Sequence, residues 1–531
     1  MSERRAIATA AAILMLGNVA SRLLGVLREL VIADRFGATA ATSSFVAAST
    51  VPTMVYDLLI GGAISAALVP VFSEYIATGR EVDLRRAAGT VMVLVTAVLA
   101  FCAAMLAIVA PSLVSLLIPG LDPALQAQTV TLTRLALPAA VLLGLSGVTT
   151  ALLNSRQIFT YPSFSVAVYN IGIICGALLF AASLGVLSLV IGVLVGATLH
   201  LALQLPALRR SPPLLSFDLT HPAVRRILRL YAPVALGLVV SQIGVVIDRN
   251  LASRTGDDSL AVMRFATTLV QFPVGMVITA TSAAILPTLS RHAATSAVAM
   301  LAGKPGDEVP FRREAYVQAL VTGLRMALLA IIPITALMIT EREPLIRLLF
   351  QRGAFDLVAT QRTAQAFLAY APQLPFVAID LILIVAFYAR QNTRFPTIAG
   401  VAGVIVFLVS GIALIQPLGM VGLALANTIQ HTFHALLMLA VLWPQIGGLR
   451  GYGLGWVVSK ASLVTLAIGC VWWMISQYFL IFTPGQGYIS LALYLTAAGL
   501  IWGILYCGLL YAWGVIECRL LANMVLSRLR H

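Results

Sequence analysis

The chain has 531 residues, of which 60% are hydrophobic and only 10% charged. Soluble chains carry about 25% charged residues, so a string of soluble domains is excluded and a membrane protein is expected. The net charge of +14 is spread through short joints between apolar stretches, which points to anionic membrane lipids rather than to nucleic acid.

Apolar segments of about 20 residues can cross a bilayer, where only helices or closed barrels satisfy the backbone. Runs such as 91–109, 164–182 and 187–205 lack the two-residue alternation of barrel strands, so an all-α polytopic protein is expected. The first segment, 8–33, follows Arg4 and Arg5 and imitates a secretory signal. Its apolar character resumes beyond Arg22, which favours an uncleaved span. The next segments are 44–72, 88–112, 128–153, 163–183 and 187–207. A second series follows at 228–250, 260–288, 316–339, 363–388, 396–416 and 419–442. Segments 456–478 and 489–515 bring the expected total to about 14.

Basic residues accumulate on the cytoplasmic side of inserted proteins. With both termini in the cytoplasm, the inside joints receive Arg80, Arg85, Arg86, Arg156, Arg209, Arg210, Lys304, Arg390 and Arg450, with Arg528 and Arg530 in the tail. The outside joints receive fewer, among them Arg35, Arg254, Arg342 and Arg352. Cys102, Cys175, Cys470, Cys507 and Cys518 lie in or beside apolar segments without paired spacing and read as small hydrophobes, not metal ligands.

The chain repeats itself. Arg156-Gln157 with Pro162 recurs as Arg390-Gln391 with Pro396, 234 positions later, and Pro138, Gly185 and His200 recur as Pro372, Gly419 and His434. A looser echo pairs 67–73 with 284–290. Six spans per half is an even number, so both halves start on the same side and an axis along the membrane normal relates them. The expected organisation is a six-helix lobe at 1–215, a second at 216–445, and two added helices with a cytoplasmic tail at 446–531. Paired lobes of this kind commonly transport by exposing a central site alternately.

Charges at membrane depth are costly and mark functional positions or internal pairs. The first span holds Arg22, Arg28 and Glu29, with Arg22 and Glu29 on one helical face. Two guanidinium groups there can grip a pyrophosphate; an ion pair to Glu29 is the structural alternative. Arg264 is the second-half candidate for an anionic substrate. Asp57, Asp248 and Asp380 are candidate coupling carboxylates, or silent partners of arginine. Gly25, Pro52, Gly61, Gly62 and Pro273 are candidate bending points. No nucleophile-base motif, histidine cluster or phosphate-cradling loop is present, so neither an enzyme nor a metal site is expected.

At Ser21-Arg22-Leu23-Leu24-Gly25-Val26-Leu27-Arg28-Glu29, followed by Phe36-Gly37-Ala38, the sequence resembles the lipid II flippase (MurJ/MviN) family. That family lies within the multidrug/oligosaccharidyl-lipid/polysaccharide exporter superfamily. Gly62-Ala63, Leu68-Val69-Pro70, Gln271-Phe272-Pro273 and Arg390-Gln391 extend the resemblance through most of the chain. It implies fourteen helices, a bacterial cytoplasmic-membrane location and movement of undecaprenyl-pyrophosphate-linked peptidoglycan precursor, with cell-wall synthesis proteins as possible partners. Arg22 and Arg28 match two family arginines used for the pyrophosphate.

The family's eighth-span arginine aligns with Thr268, with Arg264 about one turn earlier. Other family charges correspond to Ser43, Thr50, Tyr56 and Gly61, which keeps an exporter of another lipid-linked oligosaccharide, or a non-transporting scaffold, as alternatives. Asp248 matches a carboxylate of a sodium site found in some members. The segment 404–410 lacks the expected Asn and Asp ligands, so sodium is not favoured. No cofactor is expected, and the membrane potential is the expected bias, at about 2.3 kcal/mol per charge per 100 mV.

Overall fold

The computed structural model describes residues 3–61, 67–209, 211–301, 308–449, 451–478 and 487–519, and every regular element among them is a helix. Gly62, Ala63, Arg210, Lys304, Arg450, Arg528 and Arg530 lie outside the described residues. In chain order α1 is Glu3–Phe36, α2 Ala40–Tyr56, α3 Val69–Ala77, α4 Glu81–Leu117 and α5 Pro123–Ser155. Then come α6 Thr160–Leu184, α7 Leu187–Ala202, α8 Leu205–Leu208, α9 Pro222–Ser253, α10 Ser259–Pro273 and α11 Thr279–Leu301. The remainder are α12 Glu308–Thr340, α13 Arg342–Phe350, α14 Leu357–Tyr370, α15 Leu374–Ala389, α16 Arg394–Gln445, α17 Leu454–Tyr478 and α18 Tyr488–Ala512.

Among the described residues the expected segments are almost wholly helical, with 396–416 and 419–442 sharing α16. Ten described helices are long and apolar enough to cross a membrane, or 11 if the bent pair Pro222–Ala232 and Gly237–Ser253 is one span. Their outward faces are apolar too. In α4 the most apolar 18-residue window has a mean hydropathy of 2.8 yet is only 17% buried. Phe101 and Ile108 stand exposed on it. Water does not tolerate such a surface, whereas lipid does, so the protein is a multi-pass membrane protein.

The chain forms two compact units, residues 1–264 with 350–359, and residues 265–349 with 360–531. In the first, α1 packs along α6 and α6 along α7, while α2, α4 and α7 pack on α5. In the second, α11, α15 and α17 pack on α12, and α16 packs on α15.

Lipid supplies little hydrophobic drive for helix association, so close packing of small residues takes over. The α6–α7 contact is built this way from Gly172, Gly176, Gly192 and Gly196. A Cβ on Gly176 would stand 2.6 Å from both the Gly192 Cα and the Ser188 carbonyl oxygen. These are backbone atoms and cannot swing aside. Gly176→Ala should therefore push the helices apart and cost about 1–3 kcal/mol, read as a lower thermal unfolding midpoint of the detergent-purified protein.

The internal repeat is written in the backbone. Gln157 and Gln391, 234 positions apart, are the two described non-glycine residues with positive φ, at 62° and 56°. Each ends a helix, α5 or α15, in the left-handed cap conformation. Gly185 and Gly419 have φ/ψ of 53°/−140° and 55°/−131°, a region that essentially only glycine occupies. Gly419 divides α16 into two arms. The looser echo also has a physical counterpart: π-helical segments Asp57–Gly61 and Val274–Ile278 occupy matching positions relative to Pro70 and Pro287. A π segment breaks the regular hydrogen-bond ladder and is often found at functional sites. Of the candidate bending points, Pro52 is buried within α2, Gly61 lies in the first π segment and Pro273 immediately precedes the second.

Candidate functional site

The charged residues of α1 converge with α6 and α10 inside the first unit. Glu29 is only 1% exposed, and a buried carboxylate must be compensated. Two arginines do this. Arg264 grips it in fork geometry, Nε donating to Oε2 at 2.9 Å and Nη2 to Oε1 at 2.7 Å. Arg28 donates to Oε1 from Nε at 3.0 Å and from Nη2 at 2.6 Å. One carboxylate against two guanidinium groups leaves the cluster with a net positive charge.

Neighbouring helices hold the cluster in place. Arg28 Nη1 donates to Asn170 Oδ1 at 2.9 Å, and Asn170 Nδ2 donates to the Ser21 carbonyl at 3.2 Å. Asn170 thus ties α6 to both turns of α1 that flank Gly25. The Arg264 guanidinium also lies over the Phe45 ring of α2, 5.5 Å from its centroid. The guanidinium side chains keep 25% exposure at Arg28 and 19% at Arg264, against 2% at Glu29. Arg22 lies two turns earlier on α1, with its buried Nε lacking a hydrogen-bond partner in the structure.

Ser43 on α2 has a structural role. Its Oγ accepts from the Ala261 backbone N–H at 3.1 Å, satisfying an orphan donor in the first turn of α10 and fixing the helix that carries Arg264. Ser43→Ala should cost about 0.5–2 kcal/mol and loosen anion binding through Arg264, checked by thermal unfolding with and without inorganic pyrophosphate.

The other candidates lie apart from this cluster. Asp57 opens the first π segment and is half-buried. Asp248 on α9 pairs with its neighbour, Oδ2 3.3 Å from Arg249 Nη1. Asp380 on α15 is buried against His434 of α16. Among the described residues no group of three His, Cys, Asp or Glu is arranged to hold a metal. In the second unit an apolar cavity of about 400 Å³ opens between α12 and α18, lined by Met326, Leu329, Pro333, Trp502 and Tyr506. Glu517 lies at its edge, bonded to Arg325 Nη1 at 3.0 Å.

Asn170 and Phe45 escaped sequence reasoning. A lone amide in the otherwise apolar run of α6 was the available signal, because polar side chains in spans usually join helices.

Comparison with known proteins agrees with this architecture. The model of the family described as "Lipid II flippase MurJ" matches residues 32–493. The lipid II flippase MurJ of Burkholderia cenocepacia is 27% identical over 516 residues, covering 93% of this chain and 95% of that protein. Among solved structures, "Lipid II flippase MurJ, inward closed conformation" superposes with a TM-score of 0.76 at 21% identity, covering 93% of this chain and 98% of its own. An inward-facing multidrug resistance MATE family transporter of the MOP superfamily gives a TM-score of 0.65 at 13% identity, covering 83% and 99%. The two structural likenesses show a shared fold, and the family match spanning most of the sequence shows that the chain belongs to the lipid II flippase MurJ family.

Proposed function

We propose that the protein is a flippase that moves undecaprenyl-pyrophosphate-linked lipid II across the bacterial cytoplasmic membrane by alternating access, without a catalytic step. Family membership over residues 32–493 carries this reading, and the arginine cluster gives it a mechanism. Glu29 acts as a resident counter-anion. It keeps Arg28 and Arg264 charged, oriented and close together while no substrate is bound. An arriving pyrophosphate offers more negative charge and more acceptor oxygens than one carboxylate, so the guanidinium groups can share or exchange Glu29 for phosphate oxygens. Arg22, whose Nε has no protein acceptor, supplies a further donor on the same helix.

The lobes 1–215 and 216–445 are the moving bodies in this reading. The irregular helix at Asp57–Gly61, and the break after Pro273, give their helices places to bend. The apolar cavity beside α18 suits a polyprenyl tail that remains in lipid while the headgroup crosses. Both termini face the cytoplasm, where anionic membrane lipids meet the basic joints, and cell-wall synthesis proteins receive the product. No cofactor is required; the membrane potential biases the cycle when net charge moves with the lipid. The test is genetic replacement: the protein should restore growth to bacteria depleted of their lipid II flippase. Rescue confined to a surface-polysaccharide defect would assign it to a different lipid-linked oligosaccharide.

A further inference from the structure

The repeat contains its own control experiment. His200 and His434 occupy equivalent positions, and each contacts the residue 54 places before it. In the first unit that residue is Ser146, whose Oγ lies 2.5 Å from His200 Nδ1 and accepts from Gln204 Nε2 at 2.7 Å. In the second it is Asp380, whose Oδ1 lies 2.6 Å from His434 Nδ1. Asp380 and His434 are 7% and 8% exposed. The fold thus accepts an uncharged hydroxyl at this position, and helix packing alone does not call for the carboxylate.

The pairs differ in the source of the bridging proton. Ser146 brings a hydroxyl proton of its own, whereas an ionised carboxylate brings none. A buried carboxylate that faces an imidazole is compensated when that ring carries protons on both nitrogens, one more than neutral imidazole holds. That proton comes from water. With it the pair is neutral overall and joined by a charge-assisted bond; without it an uncompensated carboxylate remains among apolar helices.

We propose that Asp380 and His434 form a proton-binding site whose occupancy sets the packing of α15 against the arm of α16 that follows Gly419. The proposal rests on the flippase reading for its role in a transport cycle and gives that cycle a coupling ion. One proton is taken up as the pair closes. It is released when the pair opens to water, and no other reactant is consumed. The interaction is present at low pH and is lost as pH rises and the proton leaves.

The surroundings fit a local switch. His431 lies on the same arm of α16, three residues before His434. From α12, Tyr316 commits its hydroxyl to the Ala386 carbonyl at 2.9 Å, and Arg325 is engaged with Glu517; Glu308, Arg312, Arg313 and Glu314 lie in the first turns of that helix, and Glu341 immediately follows it. Arg291 and His292 are the titratable residues of α11, Tyr388 is the other on α15 and Arg394 begins α16. The π segment Val274–Ile278 and the turn Ala371–Gln373 contribute none.

Asp380→Ser gives this pair the chemistry that the fold already accommodates at Ser146 and His200, and Asp380→Asn keeps the side chain's size. Nitrogen-15 NMR of labelled histidines in bilayers reads the ring directly. His434 should be imidazolium at neutral pH in the native protein and neutral imidazole in both variants. Amide-exchange protection in α15 and distal α16, after the intrinsic pH dependence of exchange is divided out, should fall as pH rises in the native protein and stay flat in the variants. An unchanged His434 signal, or exchange with the same pH response in all three proteins, overturns the proposal. Flux of a fluorescent undecaprenyl-linked lipid under a pH gradient separates the two readings. Proton binding with pH-dependent exchange but no flux in the native protein upholds the site and defeats the flippase reading, while flux that keeps its pH dependence in Asp380→Ser removes the coupling.

Discussion

Arg28→Ala should weaken binding of an undecaprenyl pyrophosphate probe by about 10- to 100-fold, the loss of one or two charge-assisted hydrogen bonds, and should slow lipid translocation correspondingly. The protein should nevertheless remain folded in the membrane, because Arg264 still holds both oxygens of Glu29. Arg28→Lys should recover only part of the loss, since a lysine keeps the charge but cannot present two donors to Glu29 while a third reaches Asn170. Titration of the purified variants with the probe, alongside their thermal unfolding, separates the two effects. Native affinity in Arg28→Ala would show that this guanidinium serves packing alone.

Glu29→Ala should do the opposite and strike stability first. It leaves two guanidinium groups side by side in a site built around a 1% exposed carboxylate. Removing one partner of a buried charge pair costs about 3–5 kcal/mol, and here two cations lose their counter-ion at once. The unfolding midpoint should fall accordingly. Inorganic pyrophosphate should then raise it more in the variant than in the native protein, because the added anion replaces the missing charge. An unfolding midpoint equal to that of the native protein, unresponsive to the anion, would contradict the role of Glu29 as resident counter-anion.

Much of the architecture was legible because lipid restricts the solutions. Unbroken apolar segments predict helices, and the described residues of those segments are almost wholly helical. The offset of 234 positions predicts a duplicated substructure, and the left-handed Gln157 and Gln391 bear it out in the backbone. The partners of the buried charges were much less legible. Periodicity places Arg22 and Glu29 on one face of α1, yet Glu29 takes Arg28 and Arg264. Nothing local could announce the second of these, because Arg264 is brought in by α10, which Ser43 on α2 holds at Ala261. A polar side chain in a span must find a partner, but hydropathy does not say which. The duplication carried more information than its matching letters. Ser146 and Asp380 also stand 234 positions apart, and their difference in chemistry becomes meaningful only when each is found against its histidine.

The most direct test is leaflet-resolved transport by the purified protein in vesicles, using a fluorescent lipid II analogue under both polarities of membrane potential. The native protein should move the analogue between leaflets, and Arg28→Ala, inserted to the same level, should move it about 10- to 100-fold more slowly. Absence of movement by the native protein under either polarity, or equal movement by the variant, would contradict a flippase whose first helix handles the pyrophosphate.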